Sequence, residues 1–297
     1  MSRVPLADAP VAPTGDAGAG LNQTGATLDD KHRALRSLLD DIPSLIVAYS
    51  GGVDSAFLAH TASDLLGSRA LCVTADSPSY PDRHRRMARD LAGQFGFHHE
   101  IVHTAELERP EYRANPANRC YYCKHELYSH LTAMARERGI AVIADGSNAD
   151  DRGDYRPGRQ AAREFGVRSP LDDVGLTKDE IRELSRRAGL PTWDEPASAC
   201  LSSRIPYFSE VTDEKLRTIE RAEDILRDLG FRICRVRHHD TIARIELGRD
   251  EMPRALEAEM AATIDRELRG LGYQHVVVDL RGYRLGSLND ALRLRPV

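Results

Sequence analysis

The residues best suited to chemistry lie in one short run, Ser-Gly-Gly-Val-Asp-Ser, from Ser50 to Ser55. Two adjacent glycines give the backbone conformations that are closed to other residues and let an anion approach the main chain. The serines add hydroxyl donors, and the free N–H groups of a following helix favour negative charge at the same place. The run therefore predicts a phosphate-binding loop. It lacks the Gly-Lys-Ser/Thr of a Walker A loop and the Gly-x-Gly-x-x-Gly of a dinucleotide fingerprint.

Three of the five cysteines form a second group of reactive residues. Cys120 and Cys123 are one helical turn apart, so both sulfurs can reach one metal ion or cluster. Taken alone, the pair is ambiguous between a redox pair, half of a zinc site and two ligands of an iron–sulfur cluster. Cys200 lies in a proline-bracketed loop close to Arg204, whose guanidinium would favour the reactive thiolate. The other two cysteines lie inside apolar strands and are expected to be buried and inert.

Two further places in the sequence are suited to binding a ligand. Gly146, Ser147 and Asn148 follow a predicted strand, at the sheet edge where α/β proteins bind ligands, and the alternative is a plain loop rich in Asn and Asp. Arg235 and Arg237 share one face of a predicted strand because side chains alternate. Their guanidinium groups could grip a phosphate together, and the alternative is that they form a solvated charged face.

The positions of these residues depend on the surrounding strands and helices, which the sequence predicts from apolar segments that alternate with amphipathic ones. Strands are expected at 45–49, 70–74, 98–102 and 140–144, with helices at 54–66, 83–95 and 120–138 between them. Alternation of this kind predicts an α/β fold with a parallel sheet and helices on both faces. A further helix is predicted to begin with a capping box formed by Thr177 and Glu180 and to run to about Ala188.

From about residue 208 the predicted order changes to α-β-β-α-β. Helices are expected at 212–229 and 252–271, and strands at 231–237, 241–247 and 275–281. This order predicts a smaller α+β domain over 208–297, after a larger α/β domain over 29–207. Residues 1–28 are rich in Ala, Pro, Gly and Asp, and such a segment is typical of a disordered tail.

Composition narrows the classes of partner. The chain of 297 residues has 41% hydrophobic residues and a formal net charge of −5, which counts against a nucleic-acid partner. No apolar run approaches the roughly 20 residues that span a bilayer, so a membrane is not expected. The odd number of cysteines, without the pattern of a secretory signal, predicts a cytoplasmic protein.

The loop from Ser50 to Ser55 resembles the pyrophosphate loop of the N-type ATP pyrophosphatases, the PP-loop superfamily of GMP synthetase, NAD synthetase and the tRNA thiolases. Four more motifs narrow the resemblance to the LarE family, which are ATP-dependent sulfur transferases of nickel-pincer nucleotide biosynthesis. These are Asn-x-x-x-Arg-Cys-Tyr-x-Cys-Lys (115–124), Asp-Gly-Ser-Asn-x-Asp-Asp (145–151), Leu-Thr-Lys-x-Glu-Ile-Arg (176–182) and Ala-Cys-Leu-x-Ser-Arg-Ile-Pro-Tyr (199–207).

The resemblance implies a reaction and its residues. ATP would adenylate a carboxylate of pyridinium-3,5-biscarboxylic acid mononucleotide with release of pyrophosphate, and sulfur would then replace AMP to give a thiocarboxylate. Asp54 would organise Mg²⁺, and Cys200 would take part in catalysis. Nucleotide binding is expected at Ala48, Ser50, Gly51, Gly52, Val53, Asp54, Ser55, Thr74, Gly146, Ser147 and Asn148, and substrate binding at Arg204, Arg235, Arg237 and Glu246. Family members are often hexamers, so a homo-oligomer and a donor protein for sulfide or the cluster are expected.

The source of sulfur follows from the cysteines that this chain shares with the family. This chain has Cys120, Cys123 and Cys200, and in this it resembles the family members that hold a four-iron four-sulfur (4Fe-4S) cluster with one open iron. Members with only the cysteine matching Cys200 give up its own sulfur once. Two other interpretations stay open: a tRNA thiolase with a cluster, and a metal- or cluster-binding module that uses the nucleotide as a regulator.

Overall fold

The computed structural model describes residues 25–153, 157–196, 199–284 and 286–289, so the predicted tail lies outside the described residues up to position 24. The strands are β1 (Leu45–Ala48), β2 (Ala70–Asp76), β3 (His99–His103), β4 (Val142–Ala144), β5 (Cys234–His239), β6 (Ile242–Leu247) and β7 (His275–Val278). The α-helices are α1 (Leu28–Asp40), α2 (Val53–Leu66), α3 (Asp82–Phe95), α4 (Pro110–Arg113), α5 (Arg119–Arg138), α6 (Gly158–Glu164), α7 (Pro170–Asp173), α8 (Lys178–Arg187), α9 (Asp213–Asp228), α10 (Met252–Ala255) and α11 (Ala258–Arg269).

The larger sheet is parallel, with the strand order β3-β2-β1-β4, and this confirms the predicted α/β architecture. All four residues of β1 are buried. Leu45 and Val47 belong to one hydrophobic core, whereas Ile46 and Ala48 belong to a second core on the other face. Since successive side chains of a strand point to opposite faces, this division shows that both faces of the sheet are covered.

The parallel arrangement also determines where a site can form. Because the strands run in one direction, the segments that follow β1, β2 and β4 emerge at the same edge of the sheet. These segments begin at Tyr49, Ser77 and Asp145. Ligands of open α/β sheets bind at this edge, so the fold brings the predicted loop residues together.

Capping interactions fix the ends of two helices that pack against the sheet. The predicted capping box of α8 is confirmed, since the Glu180 backbone N–H donates to Thr177 Oγ1 and the Thr177 N–H donates to Glu180 Oε2. Thr27 and Asp30 form the same arrangement at α1. Lys31 Nζ then contacts Glu180 at 2.8 Å, which joins the first turns of the two helices.

The C-terminal part of the chain forms a smaller sheet of order β5-β6-β7, antiparallel between β5 and β6 and parallel between β6 and β7. Its core includes Phe231, Val236, Ile245 and Leu268. The single helix predicted over 252–271 is wrong. The chain forms α10 and α11 instead, because Glu257 takes an extended conformation (φ −61°, ψ 137°) between them. None of the helices in the described ranges is long and apolar enough to span a bilayer.

Helix α9 connects the two parts of the chain. Leu216 and Ile219, in its first half, pack with Leu201 and Ile205 of the segment that follows Cys200. The second half of the helix packs into the core of the smaller sheet. The domain boundary near residue 208 stays a prediction. Helix α9, which follows it, makes apolar contacts both with residues before position 208 and with the smaller sheet after it.

A buried ion pair holds the same region together by charge. Arg204 Nε lies 2.8 Å from Glu223 Oε1, and both side chains are at most 1% exposed. Arg204 Nη2 donates to Glu223 Oε2 at 2.9 Å. Glu223 lies in α9, and Arg227, one turn later in the same helix, also donates to Glu223 Oε2 from its Nη2 at 2.9 Å. Burial alone would raise the pKa of Glu223, but the charge of Arg204 and its hydrogen bonds lower it to about 2. The carboxylate is therefore ionised and matched to Arg204.

Replacing Glu223 tests how much this pair contributes. Glu223→Ala leaves Arg204 buried without its counter-charge, so the free energy of unfolding should fall by about 3 to 5 kcal/mol. Urea unfolding followed by circular dichroism measures the change. Glu183→Ala is the matched control, since Glu183 pairs with Arg186 on the exposed face of α8. The control should leave the transition almost unchanged, and an equally small shift for Glu223→Ala would contradict the assignment.

Candidate functional site

The phosphate-binding loop lies between β1 and α2 and is held by its two serines. The Ser50 N–H donates to Ser55 Oγ at 3.1 Å, and Ser55 Oγ donates to the Gly52 carbonyl at 3.1 Å. Gly51 has a φ of +65°, and a Cβ there would lie 2.9 Å from Ala88 Cβ. Gly52 is the N-cap of α2 and has no side chain to cap it, so the first N–H groups of the helix face the loop. This geometry suits a phosphate.

The segment after β4 packs directly on this loop. A Cβ on Gly146 would lie 2.8 Å from the backbone nitrogen of Ser55, so only glycine allows this approach. Asp145 positions the segment: its Oδ1 accepts from the Ser147 N–H at 3.1 Å and from Ser169 Oγ at 2.8 Å. Asn148 is buried, and its amide oxygen accepts from the backbone N–H two residues later. Gly146 thus lies beside the start of α2, and the predicted role of Gly146, Ser147 and Asn148 in nucleotide binding stays a prediction.

Asp54 and Lys178 form an ion pair at the entrance to the loop. Lys178 Nζ lies 2.5 Å from Asp54 Oδ2. Asp54 Oδ1 is buried and has no hydrogen-bond partner among the residues that the structure describes. An unpartnered carboxylate oxygen beside a phosphate site fits the ligand preference of Mg²⁺. Sequence reasoning did not select Lys178, although its motif was noted, because nothing local shows that it reaches Asp54.

The other predicted nucleotide residues lie in the elements that flank the loop. Ala48 ends β1, and Val53 is the buried first residue of α2. Thr74 is buried in β2, where its hydroxyl donates to the Tyr49 carbonyl and lies 2.8 Å from His99 Nε2. The hydroxyl of Thr74 is therefore engaged within the protein. Its predicted role in nucleotide binding stays a prediction.

The start of α5, which carries the cysteine pair, is bound to the segment that carries Cys200. Arg119 is buried, and its Nη1 donates to the Ser202 carbonyl at 3.0 Å and to Asn115 Oδ1. Tyr112 Oη and Ser202 Oγ are 2.6 Å apart. These bonds bring the three cysteines into one region although they are far apart in sequence.

The three thiols interact through their charges. The Cys120 residue is exposed at the surface. Loss of hydration beside the surrounding protein, and then the negative charge that Cys200 carries when ionised, raise the pKa of the Cys120 thiol. Burial, followed by the carboxylate of Glu106 and the thiolate of Cys200, raises the pKa of Cys123. For Arg119 burial acts against the charge, but the thiolates of Cys200 and Cys120 raise its pKa. The three thiols therefore lie close enough to affect one another's ionisation, and the guanidinium of Arg119 already supplies one positive charge beside them.

A metal site is not ready-made in this arrangement. Within the described ranges, no three side chains of Cys, His, Asp or Glu are grouped so that they could hold a metal ion. The soft sulfur donors fit an iron–sulfur cluster by their chemistry, but the three side chains would have to turn toward a common point. The cluster stays a prediction. Cys72 and Cys234 are buried in β2 and β5, where burial raises their pKa to about 12 and about 11.

Sequence reasoning missed the segment that follows β2. The backbone N–H of Leu201 donates to the Ser79 carbonyl at 2.9 Å, and Tyr80 Oη donates to the Ser50 carbonyl at 2.8 Å. Ser79 Oγ donates to the buried carboxylate of Glu106 at 2.8 Å. The signal that could have found this segment is its position after the carboxyl end of a central parallel strand.

The predicted substrate residues lie where β5 meets the Cys200 segment. Arg237 Nη1 donates to the Ser203 carbonyl at 2.8 Å, and its Nη2 contacts Glu246 Oε2 at 2.7 Å. Arg237 Nε is buried and has no hydrogen-bond partner within the described part of the chain. Arg235 is buried, with its guanidinium 5.4 Å from the ring centre of Tyr283. The pair therefore does not form the solvated face that was the alternative.

Arg204 differs from its expected role. Its guanidinium is fully buried and, besides the pair with Glu223, donates to the carbonyls of Ala199 and Cys200 at 2.5 Å and 2.9 Å. Contact with a substrate would require some of these bonds to break. The position of Arg204 favours a role in holding the backbone of Cys200.

Arg83, Arg204, Arg227 and Arg235 give the region between α3, α9 and β5 a positive potential. His84 of α3 lies among them and is buried. Burial, followed by the charges of Arg227, Arg83, Arg204 and Arg235, lowers the pKa of His84 to about 4. The histidine is therefore neutral near pH 7, and the charge around it suits an anion.

Comparison with known proteins gives relatives over most of the chain. An uncharacterised protein of Synechocystis is 43% identical over 265 residues, which cover 89% of this chain and 99% of that protein. The pyridinium-3,5-bisthiocarboxylic acid mononucleotide synthase of Lactiplantibacillus plantarum is 36% identical over 271 residues, 90% of this chain and 96% of that enzyme. A polypeptide of the glutamine-hydrolysing GMP synthase of Thermoplasma volcanium is 28% identical over 197 residues, 61% of this chain and 62% of that polypeptide. No family model matches the chain.

The close approach of Gly146 to α2 leads to a test of the nucleotide site. Gly146→Ala would push the added Cβ against the backbone of Ser55, so the affinity for ATP should fall roughly tenfold or more, about 1.4 kcal/mol. Gly93→Ala is the matched control, because a Cβ there meets no described atom within 4 Å. Isothermal titration calorimetry measures the affinity, and thermal melting shows that both variants fold. Unchanged ATP affinity in Gly146→Ala would remove this segment from the site.

Proposed function

Because the chain belongs to the LarE family, that of the pyridinium-3,5-bisthiocarboxylic acid mononucleotide synthase, we propose that it is an ATP-dependent sulfur transferase acting on pyridinium-3,5-biscarboxylic acid mononucleotide. The observation that carries the proposal is the connection between its two reactive regions. Hydrogen bonds from one segment, at Ser79 and Tyr80, reach both the Cys200 segment and the phosphate loop. A reaction that uses ATP and then sulfur needs the two regions close together.

The first step activates a carboxylate. A carboxylate oxygen of the substrate attacks the α-phosphorus of ATP, the bond between the α and β phosphates breaks, and pyrophosphate leaves. The N–H groups at the start of α2, and the ammonium group of Lys178 beside Asp54, would stabilise the charge on the phosphates. Asp54 Oδ1 would hold Mg²⁺, which when bound screens the phosphate oxygens.

The second step replaces AMP with sulfur. A sulfur nucleophile attacks the carbonyl carbon of the acyl adenylate, and the bond between that carbon and the oxygen of AMP breaks. The products are a thiocarboxylate and AMP. Activation is needed because a carboxylate oxygen is a poor leaving group, whereas AMP departs easily. Cys200 lies in the region of the three cysteines, directly before Leu201, whose N–H binds the segment of Ser79 and Tyr80 that is bonded to the phosphate loop.

We assign the phosphate of the mononucleotide to Arg235 and Arg237. Both are buried in a region of positive potential, and the unpartnered Nε of Arg237 offers a donor to an anion. Glu246 accepts from Arg237 and fixes the plane of its guanidinium. Arg204 acts through the backbone of Cys200, whose carbonyl it binds.

Two sources of sulfur are compatible with these residues. A 4Fe-4S cluster held by Cys120, Cys123 and Cys200 would supply a place for exchangeable sulfide when bound. Alternatively, the Cys200 thiolate attacks the acyl adenylate and forms a thioester with loss of AMP. Removal of the Cys200 Cα proton then breaks the Cβ–S bond, which releases the thiocarboxylate and leaves dehydroalanine at position 200. The presence of all three cysteines in one region supports the first source. A homo-oligomer and a donor protein stay predictions from the family resemblance, and a cytoplasmic location stays a prediction from the cysteine content and the N-terminal sequence.

The products of ATP test the reaction class. With the dicarboxylate mononucleotide present, we expect AMP and pyrophosphate in equal amounts, because the α–β phosphate bond is the one that breaks. Chromatography of the nucleotides with an enzymatic pyrophosphate assay measures both. Parallel reactions with tRNA in place of the mononucleotide test the alternative of a tRNA thiolase. ADP and orthophosphate as the main products would be incompatible with adenylation.

The Cys120→Ala variant separates the two sulfur sources. If the cluster carries the sulfur, anaerobically prepared wild-type protein should contain about four irons per chain, and Cys120→Ala should lose iron and repeated turnover. Cys72→Ala is the control, because this cysteine is buried in β2 away from the group. If Cys200 is the donor, Cys120→Ala should still complete one turnover. The wild-type chain should then lose about 34 Da, the mass of hydrogen sulfide, in intact mass measurement after reaction.

A further inference from the structure

The segment from Ser77 to Pro81, which we call the strap, joins the phosphate loop to the Cys200 segment. At one end, Tyr80 Oη donates to the Ser50 carbonyl at 2.8 Å. At the other, the Ser79 carbonyl accepts the N–H of Leu201, the residue directly after Cys200, at 2.9 Å. Adjacent residues of the strap therefore contact both reactive regions.

The strap is built to keep its shape. Pro78 and Pro81 restrict the backbone, since the pyrrolidine ring fixes φ near −65°. Ser77 and Ser79 are buried, and their hydroxyl oxygens are 2.9 Å apart. Ser79 Oγ also donates to the buried Glu106. A segment held at so many points transmits a displacement instead of absorbing it.

The hydroxyl of Tyr80 is suited to its place. Burial raises the pKa of Tyr80 above its ordinary value, so the hydroxyl keeps its proton and donates to the Ser50 carbonyl at any physiological pH. Ser50 also donates its N–H to Ser55 in the first turn of α2. Its carbonyl therefore belongs to the loop whose geometry suits a phosphate.

We propose that the strap couples occupancy of the phosphate loop to the position of the Cys200 segment, and that Tyr80 is a positioning residue for sulfur transfer. The second half of this statement rests on the proposed function. An acyl adenylate can be attacked by water as well as by sulfur, and attack by water returns the carboxylate and AMP. Sulfur transfer dominates only when the nucleophile is held close to the carbonyl carbon, since a displacement of about 1 Å costs rate steeply.

The first experiment measures how the acyl adenylate is partitioned. Tyr80→Phe removes one hydroxyl and leaves the ring, so pyrophosphate release should change little. The yield of thiocarboxylate per pyrophosphate should fall about 3- to 10-fold, the range of one lost hydrogen bond. A residue with only a structural role would lower both quantities in parallel. Tyr273→Phe is the matched control, because its hydroxyl bonds His238 in the smaller sheet, and its yield should stay at the wild-type value. An unchanged yield for Tyr80→Phe overturns the role in sulfur transfer.

The second experiment does not depend on turnover. Hydrogen–deuterium exchange of the full chain is followed at the Leu201 amide, with and without a saturating α,β-methylene analogue of ATP. In the wild type and in Tyr273→Phe, the analogue should slow exchange about threefold or more, because exchange reports local opening. In Tyr80→Phe the effect should fall by at least half. An equal effect in all three proteins, or no effect in the wild type, overturns the coupling.

Together the two measurements separate failure of this inference from failure of the proposed function. If the wild type forms no thiocarboxylate but its Leu201 amide responds to the analogue through Tyr80, the proposed function is wrong and the coupling stands. If the wild type forms thiocarboxylate but Tyr80→Phe matches it in both experiments, the proposed function stands and the strap is not a coupling element.

Discussion

The position of Cys200 depends on the buried ion pair between Arg204 and Glu223. Removing two charges from water costs several kcal/mol for each ion, and only close hydrogen-bonded geometry offsets that cost. Here the geometry is bidentate, and the remaining donors of Arg204 bind the carbonyls of Ala199 and Cys200. Glu223 in turn accepts the backbone N–H of Val236 in β5. One pair thus fixes the Cys200 backbone, helix α9 and the edge of the smaller sheet relative to one another.

The nucleotide site depends on a different constraint, the close approach of backbones that only glycine permits. Gly51 packs on α3 and Gly146 packs on the first turn of α2, each at a distance that a Cβ would forbid. The phosphate loop therefore has rigid neighbours on two sides. Tyr80, on the segment that enters α3, bonds the carbonyl of Ser50 from a third direction. A loop supported in this way holds its N–H groups ready for an anion, which lowers the entropic cost of binding, and its bond to Tyr80 connects it to the strap.

Local patterns in the sequence were enough to predict most of the frame. The order of strands and helices, the capping box at Thr177 and the phosphate loop all depend on residues within a few positions of one another. The break at Glu257 could not be read in this way, because the apolar spacing on either side of it continues a single helix. The ion-pair partners of Asp54 and Arg204 could not be predicted from the sequence either. Lys178 and Glu223 are far from them in sequence, and only the packed fold brings each pair together.

Charge shows most clearly what composition cannot say about a site. The formal net charge of −5 indicates no basic field over the whole chain, and a broad nucleic-acid surface would need one. Yet Arg227, Arg235 and Arg237 gather with Arg204 around two buried glutamates, and burial, followed by the charges of Arg227, Arg83, Arg204 and Arg235, lowers the pKa of His84. A net charge averages over the surface, whereas a buried cluster acts over a few ångströms in a medium that screens it weakly. An acidic chain can therefore hold a local cluster of positive charge that suits one small anion, without attracting polyanions to its surface.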